Sequence, residues 1–519
     1  MKVVLDLAVI GSGFGGSLLA MIARRLGLRV ALIERGRHPR FAIGESSTPL
    51  ANLLLEELAH RYDLPCLRPL AKWGSWQRDH PEIGCGLKRG FTFYHHRTGQ
   101  AWIPSEERDN ELLVAASPHD GIADTHWYRP DFDHFLVHQA LTLGVEYFDE
   151  TELSAAVVGT DSCRLEGRRL GRPVHFDAEF VVDATGPRGF LHRALRLPEG
   201  SFPGLPHTQA LYTHFRDVVR WEQLHPSAAV PPYPVDDAAV HHVFEGGWVW
   251  VLRFNNGLTS AGLAATDTLA EELNLREGGP AWARLLARFP DIGKLFTTAR
   301  PAQPWRHTPH LSFRSSRVSG SRWALLPSAA GFVDPLLSTG FPLTLFGIAR
   351  LAEILARPGD LSARARGLAD YETITLAELD AAARLVTALY RHLGDFPLFA
   401  RLALLYFGAA SFSEAARRLG RPELTGDSFL LTRRADLAGR LHELLDRALE
   451  PLTHDTRAAL MDDVLRFLEP LDVAGLTNST RRNWFPARAE DLVLGASKLG
   501  VDESCVRHLL ARCGFDPKA

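Results

Sequence analysis

Residues 3–10, VVLDLAVI, form an almost unbroken apolar run of branched side chains, the pattern of a strand buried on both faces. A glycine-rich hexad, GSGFGG at 11–16, separates it from SLLAMIARRLG, whose apolar spacing predicts a helix, and from RVALIE, a second strand ending at Glu34. Further strands are expected at VEYF (145–148), AEFVVDATG (178–186) and 323–326, with an amphipathic helix over 130–142 that has Pro130 at its start. The polar loop AIGESSTP (42–49) leads into the helix ANLLLEELAHRY. Residues 83–96, IGCGLKRGFTFYHH, read as one strand running into a hairpin at 97–99. Period-two alternation puts Lys88, Gly90, Thr92 and Tyr94 on one face of it, and Leu87, Phe91 and Phe93 on the other. Alternating segments over about 205–300 predict an antiparallel sheet, and a long apolar helix is expected over 342–357. Beyond 361 the period is helical, with helices over 370–392, 396–408, 439–449 and 456–468.

Composition narrows the classes. A chain of 519 residues suits roughly three domain-sized units. With 46% hydrophobic and 23% charged residues it can bury a large core. A net charge of -3, with arginines scattered among acids, gives no footprint for nucleic acid. Five cysteines (Cys66, Cys85, Cys163, Cys505, Cys513) contain no C-x-x-C pair and read as reduced thiols, so a cytoplasmic location is expected and no disulfide frame or zinc site. The pairs His95-His96 and His241-His242 point to opposite faces of a strand, which argues against a metal site. The N-terminus enters a strand at once, so no signal peptide is expected. No uncharged apolar run approaches ~20 residues, so no membrane span is expected either.

The order strand, glycine loop, helix, strand is what a dinucleotide fingerprint requires. Gly11 makes the tight turn, Gly13 lets the backbone approach a pyrophosphate, and Gly16 lets the helix pack closely on the strand. Glu34, 18 residues beyond Gly16, is placed for a ribose hydroxyl. Two later segments choose the dinucleotide. Asp183-Ala184-Thr185-Gly186 and the stretch from Ala329 to Phe341 would bring backbone to the same ligand, and one long ligand served by three segments fits FAD better than NAD. Ser338-Thr339-Gly340 lies at the start of the long helix, where unpaired N–H groups favour an anion or the electron-rich edge of a flavin. The expected fold is therefore α/β: an FAD-binding Rossmann-like domain of the glutathione reductase type over 1–360, with an inserted antiparallel substrate sheet, followed by a helical C-terminal region over 361–519.

These segments carry a resemblance. GSGFGG at 11–16, HPRFAIGESSTP at 38–49, CGLKRGFTF at 85–93, HHVFEGGWVWVLRFNN at 241–256 and LLPSAAGFVDPLLSTG at 325–340 resemble the flavin-dependent halogenases, closest to the phenol-type branch. The halogenase pattern Phe-x-x-Pro-x-x-Ser-x-Gly is met by Phe332, Pro335, Ser338 and Gly340. Lys-x-Gly-x-x-Phe is met by Lys88, Gly90 and Phe93. The tryptophan element Trp-x-Trp-x-Ile-Pro is met by Trp248 and Trp250, with Leu252 and Arg253 in place of Ile-Pro.

The resemblance implies an enzyme that uses reduced FAD from a separate flavin reductase, O2 and a halide ion held by Thr339 and Gly340. Hypohalous acid then reaches Lys88, the implied catalytic residue, which positions it by hydrogen bond or carries it as a haloamine. Trp248 and Trp250 form a barrier between cofactor and a small aromatic substrate, free or carrier-bound. Cofactor-binding candidates are Gly11, Gly13, Gly16, Glu34, Ser47, Asp183, Ser328 and Phe341. In tryptophan-type members a glutamate precedes Ser-Thr-Gly; Leu337 stands there, which shifts the expected substrate to a phenol. If Arg253 distorts the tryptophan wall, an FAD-dependent monooxygenase that hydroxylates an aromatic substrate is the alternative, as is a non-catalytic flavin-binding protein. Lys88 also reads as a solvated strand lysine, Glu45 as the cap of the following helix, and Arg129 as a phosphate ligand or a surface ion pair. His96, His126 and His242 are weaker candidates for a base.

Overall fold

The computed structural model describes residues 2–357 and 361–515. The first apolar run is the strand Lys2–Ile10 in the middle of a parallel array. On one side it pairs with Val30–Ile33, and that strand with Glu146–Phe148. On the other it pairs with Arg172–Asp183, which carries Trp323–Leu325 on its far edge. The chain thus builds outward on one side and returns to the other, which creates a topological switch point at the carboxyl end of the first strand. A cleft of about 350 Å³ opens there, lined by Gly11, Glu34, Arg40, Ala184 and Thr185 among others.

A second, mostly antiparallel sheet takes its middle from the expected insert: Thr208–Arg216, Ala239–Phe244, Gly247–Arg253 and Thr259–Thr266. It reaches beyond the expected 205–300 window. Gly90–His95 and Glu111–Ala115 join from the N-terminal half, and Trp484–Phe485 joins from the C-terminal region expected to be helical. Two of these joins are parallel pairings between segments far apart in the chain, Gly90–His95 on Ala239–Phe244 and Trp484–Phe485 on Glu111–Ala115. Alternation sorts the faces. Phe91, Phe93, Trp248, Trp250 and Leu252 enter the main core. Tyr94, Val240, Val249 and Val251 enter a second core closed by Trp282, Leu285 and Ile292.

The strand expected over 83–96 is in fact two. Cys85–Lys88 pairs with Asp124–Trp127, whereas Gly90–His95 belongs to the large sheet. Arg89 makes the break. Its N–H donates to Asp237 O, and its guanidinium is bound by Ser117, Pro118 and Asp120. A residue out of the ladder flips its successors to the other face. Lys88 therefore does not share a face with Thr92 and Tyr94; its Nζ lies 3.7 Å from the centre of the Phe91 ring.

C-terminal helices run Leu361–Arg391, Phe396–Arg418, Ala435–Leu449 and His454–Leu468. The expected domain boundary at 360/361 falls against residues 358–360, which lie outside the described residues. Phe396–Arg418 is long and apolar enough to cross a membrane, yet 78% of its apolar window is buried in the fold. A helix that is apolar all round also suits a protein core. Asp395 caps its first turn through Leu398 N–H (3.4 Å) and pairs with Arg457.

One of the two closest approaches in the fold is at the glycine loop, the other being Gly86 against Arg253 O. A Cβ at Gly16 would lie 1.9 Å from Gly11 O, a backbone atom that cannot step aside. At Gly15 the nearest atoms are side-chain ends of Leu326 and Thr344 at 3.1 Å. Gly16→Ala is expected to lower stability by about 1–3 kcal/mol, read as a reduced urea midpoint at unchanged slope. Gly15→Ala should have a smaller effect. Equal midpoints for Gly16→Ala and wild type would contradict this packing.

Candidate active site

The hexad is shorter as a loop than its sequence suggests, because the helix Phe14–Arg25 begins inside it with Gly13 as N-cap. Gly11 has φ +95°, and its N–H donates to Ile33 O at 2.7 Å. A Cβ at Gly13 would lie 3.4 Å from Arg129 Nη2 and 3.8 Å from Arg40 Nη2, so guanidinium groups face the bare backbone of the turn. Glu34 is buried at the end of its strand. Its carboxylate accepts from Ser12 N–H (3.1 Å), Gly36 N–H (2.9 Å) and Arg40 Nη2 (3.0 Å). Burial alone would raise its pKa, but Arg40 and these N–H groups hold the carboxyl below the usual carboxylate range. Buried Arg40 Nε and His38 Nδ1 have no partner. Asp183 is fully buried, and its carboxylate accepts from Thr185 N–H (2.8 Å) and Leu191 N–H (2.6 Å), which shapes the turn that carries Gly186. Ser328 is half-buried on the short helix Pro327–Ala330. A carboxylate on the second strand, and cationic donors over a glycine turn at a switch point, fit a dinucleotide with its diphosphate.

The segment 38–49 ties this cleft to Lys88. Trp127 N–H donates to Glu45 O at 2.6 Å, and Ser47 N–H donates to Thr125 O at 3.2 Å, so residues 45–47 lie along the strand Asp124–Trp127 like an added strand. Ser47 Oγ donates to Thr125 O (2.7 Å), while Ser47 O accepts from Lys88 Nζ (2.5 Å). Lys88 Nζ also donates to Ser46 Oγ at 2.8 Å. The lysine is fully buried, so the solvated-strand reading is excluded. Burial depresses its pKa, and the neighbouring Asp124 carboxyl opposes the shift. Arg129 is not a surface ion pair: it is buried, forks onto Asp133 and donates to Ile43 O and Gly44 O. Glu45 does not cap the next helix; Thr48 does, through Ala51 N–H at 3.2 Å. The Glu45 carboxylate instead meets His214 Nε2 at 2.7 Å.

At the other end of the site, the helix Gly340–Leu355 starts from Thr339 with no side-chain cap. Gly340 is exposed, and a Cβ there would meet nothing within 4 Å. No side chain therefore covers the start of this helix at Gly340. Phe341 stacks on Trp127 at 4.3 Å, and Phe14 meets both rings edge-on at 4.8 and 5.5 Å. Leu337 is fully buried among apolar groups, with no carboxylate at that position.

Trp248 and Trp250 lie side by side, ring centres 5.7 Å apart, on the face that also bears Phe91 and Phe93. Arg253 points to the opposite face, where it binds Asp236 and the carbonyls of Val218 and Val219, so it does not disturb the indole pair. Trp248 Nε1 donates to Tyr390 Oη (3.1 Å), which donates to Asp334 Oδ2 (2.8 Å); Asp334 Oδ1 accepts from Leu336 N–H (3.0 Å). This chain joins the tryptophan wall to the segment FVDPLLSTGF.

Sequence reasoning did not single out Tyr390, Asp334 or Asp124. An acid inside a glycine- and proline-punctuated apolar motif was a usable signal for Asp334, and an acid opening the buried strand DTHW for Asp124; nothing local marks Tyr390. Among the histidines, His96 and His242 meet each other at 2.9 Å on the second-core side, and His126 Nε2 faces Ala238 O.

Burial raises the Asp334 pKa to about 7. Between the ordinary carboxylate value of 3.8 and about 7, the folded chain keeps this proton and the unfolded chain does not. Its contribution to stability is present below the lower value and lost as pH rises through the upper one. Relative to Asp334→Asn, the wild type should lose about 1 kcal/mol or more of unfolding free energy across that window. Parallel pH dependences of the two proteins in thermal melts would contradict a neutral Asp334.

Comparison with known proteins gives the family. The tryptophan halogenase family model matches residues 125–394, just over half of the chain. The monodechloroaminopyrrolnitrin halogenase PrnC of Pseudomonas fluorescens is 31% identical over 358 residues, covering 68% of this chain and 61% of that protein. The tetracycline 7-halogenase of Kitasatospora aureofaciens is 31% identical over 358 residues, covering 65% of this chain and 61% of that protein. The match thus spans less than two thirds of either relative's length. The crystal structure of the halogenase PltM in complex with phloroglucinol and FAD superposes with a TM-score of 0.79 at 25% identity, covering 92% of this chain and 99% of that one. The chain belongs to the tryptophan halogenase family of flavin-dependent halogenases.

Proposed function

We propose that this chain is an FAD-dependent halogenase of phenolic or similarly electron-rich aromatic compounds. The observation that carries the reading is Lys88: a buried amine with a depressed pKa, fixed between the cofactor-side segment 45–47 and an aromatic wall. Bound and reduced, FAD would supply with O2 the oxidising power that turns halide into hypohalous acid. Gly11, Gly13, Gly16 and Glu34 line or shape its cleft, with Arg40 and Arg129 over the turn; Asp183, Ser47 and Ser328 support the loops around it. Thr339 and Gly340 offer helix-start N–H groups to a halide. Trp248 and Trp250 separate that end from the substrate, and Tyr390 holds the first indole in place.

Lys88 has two N–H donors engaged by Ser46 and Ser47. As an ammonium it keeps one N–H for the oxygen of hypohalous acid, polarising the departing hydroxide. As an amine it has a free lone pair for the halogen. Burial narrows the gap between those states. A phenol fits better than an indole because Leu337 offers no base for the ring proton and a phenol brings its own activating oxygen. Reduced FAD would come from a separate flavin reductase, and the free cysteines suit a cytoplasmic setting.

Supplied with reduced FAD, O2, chloride or bromide and a phenol panel, the protein should give products with halogen isotope patterns by mass spectrometry. Hydroxylated products that do not depend on halide would replace this reading with the monooxygenase. Lys88→Ala should lower halogenation at least about 100-fold, with FAD binding by absorbance titration retained. Unchanged turnover would remove Lys88 from the mechanism.

A further inference from the structure

Against Phe91, the ring that lies over Lys88 Nζ, a cavity of about 190 Å³ opens between the large sheet and the helix Phe396–Arg418. Phe91, Tyr406 and Phe407 give it aromatic walls, and Asp124 and Asn52 line it among them. Asp124 is the register partner of Lys88 across the two-stranded sheet and is 6% exposed. Its Oδ1 accepts from Asn52 Nδ2 at 2.8 Å. Its Oδ2 has no partner, and neither has Oδ1 of Asn52. A buried acceptor left without a donor is unfavourable. The nearby charges do not fill the gap: Glu414 pairs with Arg418 at 2.8 Å, and Lys88 Nζ donates to the segment 45–47. An aromatic cavity with orphaned acceptors on its wall calls for an aromatic ligand that brings an O–H.

We propose that Asp124 takes the proton of a phenolic hydroxyl bound in this cavity, with Asn52 holding the carboxyl in place. This deepens the halogenase reading and rests on it. The phenol O–H bond breaks, a bond from that hydrogen to Asp124 Oδ2 forms, and the electron pair stays on the phenolate oxygen, enriching the ring. A ring carbon takes the halogen from hypohalous acid. The departing hydroxide becomes water with a proton from Lys88, the ring C–H proton restores the lysine, and Asp124 returns its proton to the oxygen. The sum is an aromatic C–H and hypohalous acid giving an aromatic C–halogen bond and water.

Burial raises the Asp124 pKa, with Lys88 opposing, which makes the carboxylate a stronger base than an exposed one. Glu414 pushes the same way as burial, Asn52 and Arg418 push against it, and Lys72, Tyr406, Arg488 and Cys513 complete the titratable groups of the wall.

The test pairs a phenol with its methyl ether. Asp124→Asn should lose about 100-fold or more in kcat on the phenol relative to its rate on the methyl ether, which reports any change that loss of the carboxylate makes to Lys88, with FAD binding unchanged. An unaltered phenol rate in Asp124→Asn, with the wild type halogenating phenols, overturns the role of Asp124 and leaves the halogenase reading standing. Absence of halogenated product from any substrate with the wild type overturns both. Should Asp124→Asn fail to fold, the wild-type pH profiles decide. An acid limb in kcat/KM for the phenol that is missing for the ether is expected, and coincident profiles would overturn the proposal.

Discussion

Trp127 holds the site together. Its ring stacks on Phe341 from the helix after Ser-Thr-Gly and on Phe132 from the helix Arg129–Thr142, and it meets Phe14 from the glycine loop edge-on. Each such pair adds about 0.5–1.5 kcal/mol beyond its buried area. The tryptophan's own strand carries the register partners of Cys85 to Lys88. One indole thus fixes the cofactor turn, the free helix start and the lysine strand against one another. Its backbone N–H serves the same end, since the bond to Glu45 O keeps residues 45–47 zipped to that strand. A shift of Trp127 would move these three parts at once.

Around that anchor, charges are arranged by burial. Lys88 and Asp124 sit opposite each other where water cannot screen them, and each is pushed toward its neutral form. Asp334 is pushed the same way, and it is met by a tyrosine hydroxyl and a backbone N–H instead of a cation. Glu34 is the contrast. It is buried, but Arg40 and the loop N–H groups keep it ionised. Asp183, beside the same cleft, is pushed up by burial, so it is Glu34, with its cation and loop N–H groups, that keeps a charge there.

What the sequence made legible was local. The glycine hexad, Glu34 and the run 325–340 announce themselves because turn, helix start and strand end lie within a few residues of one another. The break within 83–96 is invisible to alternation because Arg89 leaves the ladder for partners at 117–120 and 237, which no local pattern contains. The reach of the large sheet is hidden for the same reason: parallel pairing of Gly90–His95 with Ala239–Phe244 leaves no trace in either segment alone. Arg253 looks like damage to the tryptophan wall in sequence, yet odd and even positions of one strand face different cores, and Asp236 accounts for the arginine. Tyr390 has no local signature, because its role is defined by Trp248 and Asp334 on two other elements.

The hydroxyl of Tyr390 also sets a limit on recombination within the family. The long helix Leu361–Arg391 lies past every recognisable motif and invites treatment as an exchangeable module. A chimera joined near residue 357 would carry a foreign side chain to position 390. The indole N–H of Trp248 and the carboxyl of Asp334 would then face a partner chosen for another wall. Grafts that respect this chain of hydrogen bonds must take Trp248, Asp334 and Tyr390 from one parent.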